Sequence, residues 1–210
     1  MPIRCNSQFG RSGQLISRAE PWRYSGHGVT DFFTADTHFG HENVISYCNR
    51  PFEDVLEMND ILIQNWNAVV QPGDTVFHLG DFALGPKHFW RSYREALNGR
   101  IIYILGNHDT VVPIQRFNSM VVLARDFTAM TSIYHAPTGE SIGLAHIPTG
   151  DPIDNRGYVR PICNEVVDYH FCGHVHDAWK ERTVDGIRCI NVGVDVWDYT
   201  PRTLEEILES

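Results

Sequence analysis

The spacing of hydrophobic positions changes partway along the chain. Up to about residue 105, short β-branched and aromatic runs alternate with longer amphipathic stretches. Residues 29–35 (VTDFFTA) predict a first strand. Residues 52–70 predict a helix, because Val55, Met58, Leu62, Trp66 and Val69 recur at three- and four-residue steps and form one apolar stripe. Gln71-Pro72-Gly73-Asp74 stops it. A short strand follows at 75–79 (TVFHL). A second helix is predicted at 87–97, with Phe89, Trp90, Tyr93 and Leu97 inward and Asn98-Gly99 closing it. Residues 100–105 (RIIYIL) read as a buried strand. Beyond this point the runs shorten. Strands are predicted near 121–123, 129–135, 141–146, 168–172 and 187–192, with Thr138-Gly139-Glu140 as a hairpin turn. Residues 148–161 show no period and read as a loop, and 203–208 predict a short helix with Thr203 placed to cap it. Repeats, low-complexity tracts and linkers are absent from the sequence. Residues 29–210 therefore read as one domain, a layered α/β sandwich of βαβ units followed by a strand-rich half.

Most of these strands run directly into short polar blocks: Asp36-Thr37-His38, Gly80-Asp81, Gly106-Asn107-His108-Asp109, His146, and Gly173-His174-Val175-His176. At an extended strand end, residues two apart point to the same side, so Asp36 and His38 can face one ion, as can His174 and His176. Asp81 has two oxygens and can bridge two ions. Asn107 offers a neutral carbonyl oxygen. His108 can donate a proton to a leaving group, with Asp109 holding its other ring nitrogen. Taken singly, each block has an ordinary explanation, such as a helix cap, a turn aspartate or a locally bonded Asn-His-Asp turn. His146 alone would pass for a structural histidine, which is how His78, His135 and His170 are read. Together the blocks supply the mixed N and O donors that hold two divalent ions side by side, an arrangement suited to phosphoryl transfer.

Composition narrows the picture. At 42% hydrophobic over 210 residues, the chain can bury a sizeable core. The formal charge of −9 argues against a long nucleic acid as partner, although bound metals would offset part of it. Five cysteines without a CxxC pair read as reduced thiols of a cytoplasmic protein. No apolar run reaches membrane-spanning length. Residues 1–28 carry arginines, serines and glycines without the apolar core of a secretory signal, and read as a loose or surface-docked extension. Oligomeric state leaves no mark in the sequence.

In order and spacing, the five blocks resemble the calcineurin-like metallophosphoesterase superfamily, whose pattern is Asp-x-His, Gly-Asp, Gly-Asn-His-Asp/Glu, a lone His, then Gly-His-x-His. The resemblance spans Asp36 to His176. It implies a four-layer α/β/β/α sandwich with two mixed sheets flanked by helices. It also implies one metal held by Asp36, His38, Asp81 and His176, and a second held by Asp81, Asn107, His146 and His174. Manganese leads the candidate ions, ahead of Fe, Zn²⁺, Ni²⁺ or Co²⁺. A water between the metals would attack phosphorus while His108, oriented by Asp109, assists the leaving oxygen. The chain departs from the superfamily's protein phosphatases, which carry an arginine soon after Gly-Asp; here the sequence reads Gly80-Asp81-Phe82-Ala83-Leu84-Gly85. The blocks at 36–43 and 47–52 and the ending 191–199 (NVGVDVWDY) look like a compact bacterial and phage subgroup. The expected substrate is a small phosphodiester or phosphomonoester, with a nucleotide-like diester favoured. The alternatives are a nuclease acting on short single strands and a non-catalytic binding module. Substrate contacts are expected from His41, Asn43 and Arg50, and from Arg156 and Tyr158 in the loop after His146, with Arg50 as a bidentate phosphate clamp.

Overall fold

A computed structural model describes residues 29–85, 87–109, 120–124, 132–148 and 167–210. The extension at 1–28 and nearly all of the loop at 148–161, with Arg156 and Tyr158, lie outside these residues. The described strands form two five-stranded sheets. In the first, β1 (Asp31–Thr34), β2 (Thr75–His78), β3 (Arg100–Ile104) and β4 (Met120–Ala124) run parallel, and β10 (Arg202–Thr203) joins β1 antiparallel. The second has the order β5 (Ser132–His135), β6 (Ser141–Leu144), β7 (Tyr169–Cys172), β9 (Ile187–Asn191), β8 (Glu181–Val184). Its central three strands are parallel and its two edges antiparallel. These are the two mixed sheets with flanking helices that the resemblance implies.

Parallel strands need long crossovers, and α2 (Val55–Val69) and α3 (Lys87–Ala96) lie in the connections from β1 to β2 and from β2 to β3. Strand alternation then sorts the apolar residues into two cores. Phe32, Val76 and Ile101 stand in register and pack with Met58, Leu62 and Trp66 of α2 and Trp90 of α3. Their neighbours Phe33, Phe77 and Ile102 point the other way, to Ile142, Leu144, Phe171 and Ile190 of the second sheet. Phe33 stacks on Phe77 and meets Phe171 edge-on, both at 5.2 Å between ring centres. A helix α4 (Leu204–Leu208) contributes Ile207 to this inter-sheet core. Thr203 caps it, with Glu206 completing a reciprocal capping box.

One expectation needs correction, and two elements were not foreseen. In α3 Trp90 is buried, whereas Phe89 is exposed, so the inward face is narrower than the run of aromatics suggested. The sequence reading missed α1 (Glu42–Tyr47), a six-residue helix whose N-cap His41 makes no side-chain capping bond. It also missed β8, a charged edge strand of sequence ERTV that passes into β9 through the turn at Asp185-Gly186, both at positive φ.

The topology sets up the site. Asp36, Asp81 and Asn107 follow the carboxyl ends of β1, β2 and β3, and His146 and His174 follow those of β6 and β7. The sheets meet there, because Ala35 bridges to Gly193 just past β9 and Val194 N donates to Ala35 O at 3.1 Å. Loops from both sheets therefore open on one place.

Candidate metal centre

Asp36, Asp81, Asn107 and His146 are all buried, and His38 is 2% exposed. Asp81 lies between the histidines: its Oδ2 is 3.6 Å from His38 Nε2 and 3.4 Å from His146 Nε2. Asn107 Oδ1 is 2.9 Å from both His146 Nε2 and His174 Nδ1. On the other side, the His176 ring stacks on His38 with centres 5.1 Å apart. Ligand atoms of Asp36, His38 and His176 lie within 4.8 Å of one another, as do those of Asp36, Asp81 and His146. All seven ligands read from the sequence are thus brought together.

The cause differs from the one expected. The paired residues do not face inward because an extended strand alternates. Asp36, His38, Asp81, His174 and His176 all hold a left-handed backbone, with φ of 56, 50, 55, 74 and 48°. The chain coils tightly past each strand end, and backbone bonds hold the coils: Asp36 N to Gly80 O and His38 N to Asp81 O, both 3.0 Å, and Gly173 N to His146 O, 2.9 Å. Gly80, at φ +98°, lies so close to the next loop that a Cβ would stand 2.6 Å from Gly106 and 2.7 Å from His146 Nδ1.

Two features fit this set to divalent cations. The first is unmet polarity. Asp36 Oδ1 and both ring nitrogens of His38 are buried without a hydrogen-bond partner among the described residues, a costly state for an acceptor that faces nothing positive. The second is orientation. His146 Nδ1–H donates to Leu79 O at 2.7 Å, which directs Nε2 toward Asn107 and Asp81. Burial lowers the His38 pKa well below its ordinary value and so keeps that ring neutral. Burial also opposes charge on His146, yet the adjacent Asp81 carboxylate pushes it up to about 9. Asp81 itself is held low by that pair, against the cost of burial. The protons compensating the acids thus lie where cations would compete for the same nitrogens.

His108 is half-buried, its ring 5.6 Å from that of His38, and its backbone N–H donates to Asp81 Oδ1 at 2.9 Å. Asp109 does not hold the His108 ring. Its Oδ2 accepts from Gly106 N at 2.6 Å and Asp81 N at 2.7 Å, so the carboxylate fastens two ligand loops by their backbones. Burial and the Asp81 charge push its carboxyl up to about 7.

The expected substrate contacts fare unevenly. His41 is half-buried, with its ring 5.6 Å from that of His38 and 6.2 Å from the exposed Tyr47. Asn43 is exposed on α1. Arg50 is no phosphate clamp. It is 4% exposed, with Nε on Asp195 Oδ1 at 2.7 Å and one terminal nitrogen on Asp195 Oδ2 at 2.9 Å. Its two terminal nitrogens also donate to Asp36 O at 2.8 Å and Thr37 O at 3.1 Å. With a fifth bond to Met58 Sδ at 3.5 Å, this guanidinium has little left to offer a ligand. Asp195, which bonds both Arg50 and His176, received no role from the sequence. The only signal was its place in the ending NVGVDVWDY, as a lone acid between two valines just after β9.

A sequence profile for the calcineurin-like phosphoesterase superfamily domain matches residues 33–203, and the chain belongs to that superfamily. The uncharacterized protein MJ1445 of Methanocaldococcus jannaschii is 51% identical over 80 residues, covering 37% of this chain and 46% of that protein, so the match spans less than half of MJ1445. The gene 66 protein of Mycobacterium phage L5 is 28% identical over 183 residues, covering 79% of this chain and 86% of its own. The crystal structure of AQ665, a protein of unknown function from Aquifex aeolicus, superimposes with a TM-score of 0.61 at 27% identity, covering 87% of this chain and 99% of that one. Among the described residues no helix is long and apolar enough to cross a membrane.

Proposed function

We propose that this chain hydrolyses a small phosphodiester or phosphomonoester with the help of two divalent metal ions. Asp36, His38, Asp81 and His176 would hold one ion, and Asp81, Asn107, His146 and His174 the other, with manganese the first candidate. The observation that carries this reading is Asp81 Oδ2, set within 3.6 Å of His38 Nε2 and 3.4 Å of His146 Nε2 as a carboxylate between two ligand groups. Bound there, such ions supply an acidified water and a clamp on the phosphoryl oxygens.

The chain's own part is positioning and proton transfer. Buried loops exclude bulk water around Asp36 and Asp81. His108 stands at the more open side, its main chain tied to Asp81 Oδ1, and its imidazole would give a proton to the departing oxygen. Asp109 serves this step at one remove, by holding the backbones of Gly106 and Asp81. The diester preference rests on the missing arginine after Asp81, and the half-buried His41 beside Tyr47 gives an aromatic wall for a nucleotide-like group.

His108→Ala tests the assignment. It should lower the rate by about 10²–10⁴-fold while elemental analysis shows the metal content kept. An unchanged rate removes His108 from the mechanism. The same assay run on bis(p-nitrophenyl) phosphate and p-nitrophenyl phosphate decides the ester class. Turnover of the monoester with the diester untouched contradicts the diester preference.

A further inference from the structure

His176 differs from the other candidate ligands in what holds it. The Nδ1–H of His146 goes to a backbone carbonyl, whereas that of His176 donates to the Asp195 carboxylate, Oδ2, at 2.9 Å. Asp195 sits in the 3₁₀ turn Val194–Val196 after β9, and its side chain is 1% exposed. Cys48 lies on the same side: ligand atoms of Cys48, His176 and Asp195 fall within 4.8 Å of one another, a spacing that a metal could use. The neighbouring guanidinium argues against an ion there. Arg50 takes both Asp195 oxygens, at 2.7 and 2.9 Å, and its fixed positive charge would repel a cation bound beside it. This buried group therefore supports the candidate metal centre from outside.

Arg50 does more than neutralise Asp195. Its donations to the Asp36 and Thr37 carbonyls, at 2.8 and 3.1 Å, connect the coil after β1 in the first sheet to the turn after β9 in the second. One guanidinium and one carboxylate thus span the loops that present Asp36 and His38 on one side and His176 on the other.

We propose that Asp195, clamped by Arg50, is a positioning residue of the metal centre: it fixes the His176 ring so that Nε2, not Nδ1, is the atom offered to a divalent cation. The proposal rests on the reading that Asp36, His38 and His176 share an ion. A carboxylate on the far nitrogen sets ring orientation and strengthens the near nitrogen as a ligand, and removing such partners costs roughly 10–100-fold in metal affinity. A residue that served packing alone would leave metal affinity and the identity of the ligating nitrogen unmoved.

Zinc, being diamagnetic, is the probe. In the ¹⁵N spectrum of zinc-loaded wild-type protein, His176 should show a metal-bound Nε2 and a protonated Nδ1. Asp195→Asn should weaken zinc binding, measured by chelator competition, by roughly 10–100-fold for one ion. Ligation of zinc through His176 Nδ1 overturns the proposal, and this needs no variant, so a poorly folding Asp195→Asn does not block the test. A folded Asp195→Asn that binds zinc within about twofold of wild type, on the same scale, also overturns it. If zinc perturbs none of His38, His146, His174 and His176, the underlying reading of the metal centre falls as well, an outcome distinct from the other two.

Discussion

At the scale of single residues, the candidate site is built from conformations that ordinary side chains avoid. Five of the seven candidate ligands sit at positive φ, each at a cost of about 1–3 kcal/mol. The surrounding hydrogen bonds must hold them there, and many of those bonds reach across long sequence separations. Arg50 and Asp195 are 145 residues apart. Read along the sequence, Arg50 is a cation just past the first ligand pair, and a phosphate contact is a natural expectation. Only the fold reveals that its charge is already taken. The same holds for Asp109, whose partners are backbone amides 28 and 3 residues away. The candidate ligands could be singled out because the polar blocks follow strand ends in the superfamily's order, but their supports could not, because supports depend on which loops meet. One buried histidine outside the site gives a pH prediction. His170 on β7 is 1% exposed, and burial lowers its pKa from 6.5 to about 4. Between those values the unfolded chain binds a proton that the folded chain does not, so stability should fall as pH drops from 6.5 toward 4, by roughly 3 kcal/mol at most. Above 6.5 this contribution is fully present. Denaturant unfolding at several pH values should show the slope, and His170→Leu should flatten it. A slope unchanged in the variant would assign the acid sensitivity elsewhere.

At the scale of elements, α2 was readable almost residue by residue, because its stripe obeys a single period. Met58, Leu62 and Trp66 are buried as that stripe requires. Asn59, the buried polar exception, uses its side-chain oxygen to accept from Gly40 N at 2.9 Å and so ties the helix to the turn after His38. Asp54 caps the helix, accepting from Leu56 N and Glu57 N at 2.8 and 2.9 Å. Trp66→Ala should cost about 3–5 kcal/mol, since the ring is 1% exposed and its Nε1 also donates to Asn98 O at 3.0 Å. Thermal unfolding measures this, and a loss below about 1 kcal/mol would mean that the helix is not seated as described. Shorter elements escaped the sequence reading for physical reasons. The six residues of α1 complete too few turns to show a period. The edge strand β8 alternates exposed and half-buried residues and carries charge at Glu181 and Arg182, so it lacks the apolar signature of a core strand. Phe89 misled because consecutive aromatics cannot all share one helix face.

At the scale of the whole molecule, the candidate centre is a joint between two sheets. The first sheet supplies Asp36, His38, Asp81 and Asn107, and the second supplies His146, His174 and His176. Neither sheet holds a complete ligand set, so the site exists only when the core of Phe33, Phe77, Leu144 and Phe171 has packed. A chain with a formal charge of −9 thus concentrates buried carboxylates and imidazoles at one end of its sandwich, where divalent ions would satisfy them. The measurement that bears most directly on this account is hydrolysis of the chromogenic phosphoesters by protein stripped of metal and then supplied with Mn²⁺, with Asp81→Asn assayed beside the wild type. The expected result is a rate that is lost on stripping, returns with Mn²⁺ in the wild type, and stays at least 10²-fold lower in the variant, on the order expected when a water-activating centre is dismantled. A rate that survives stripping, or that Asp81→Asn leaves intact, would contradict it.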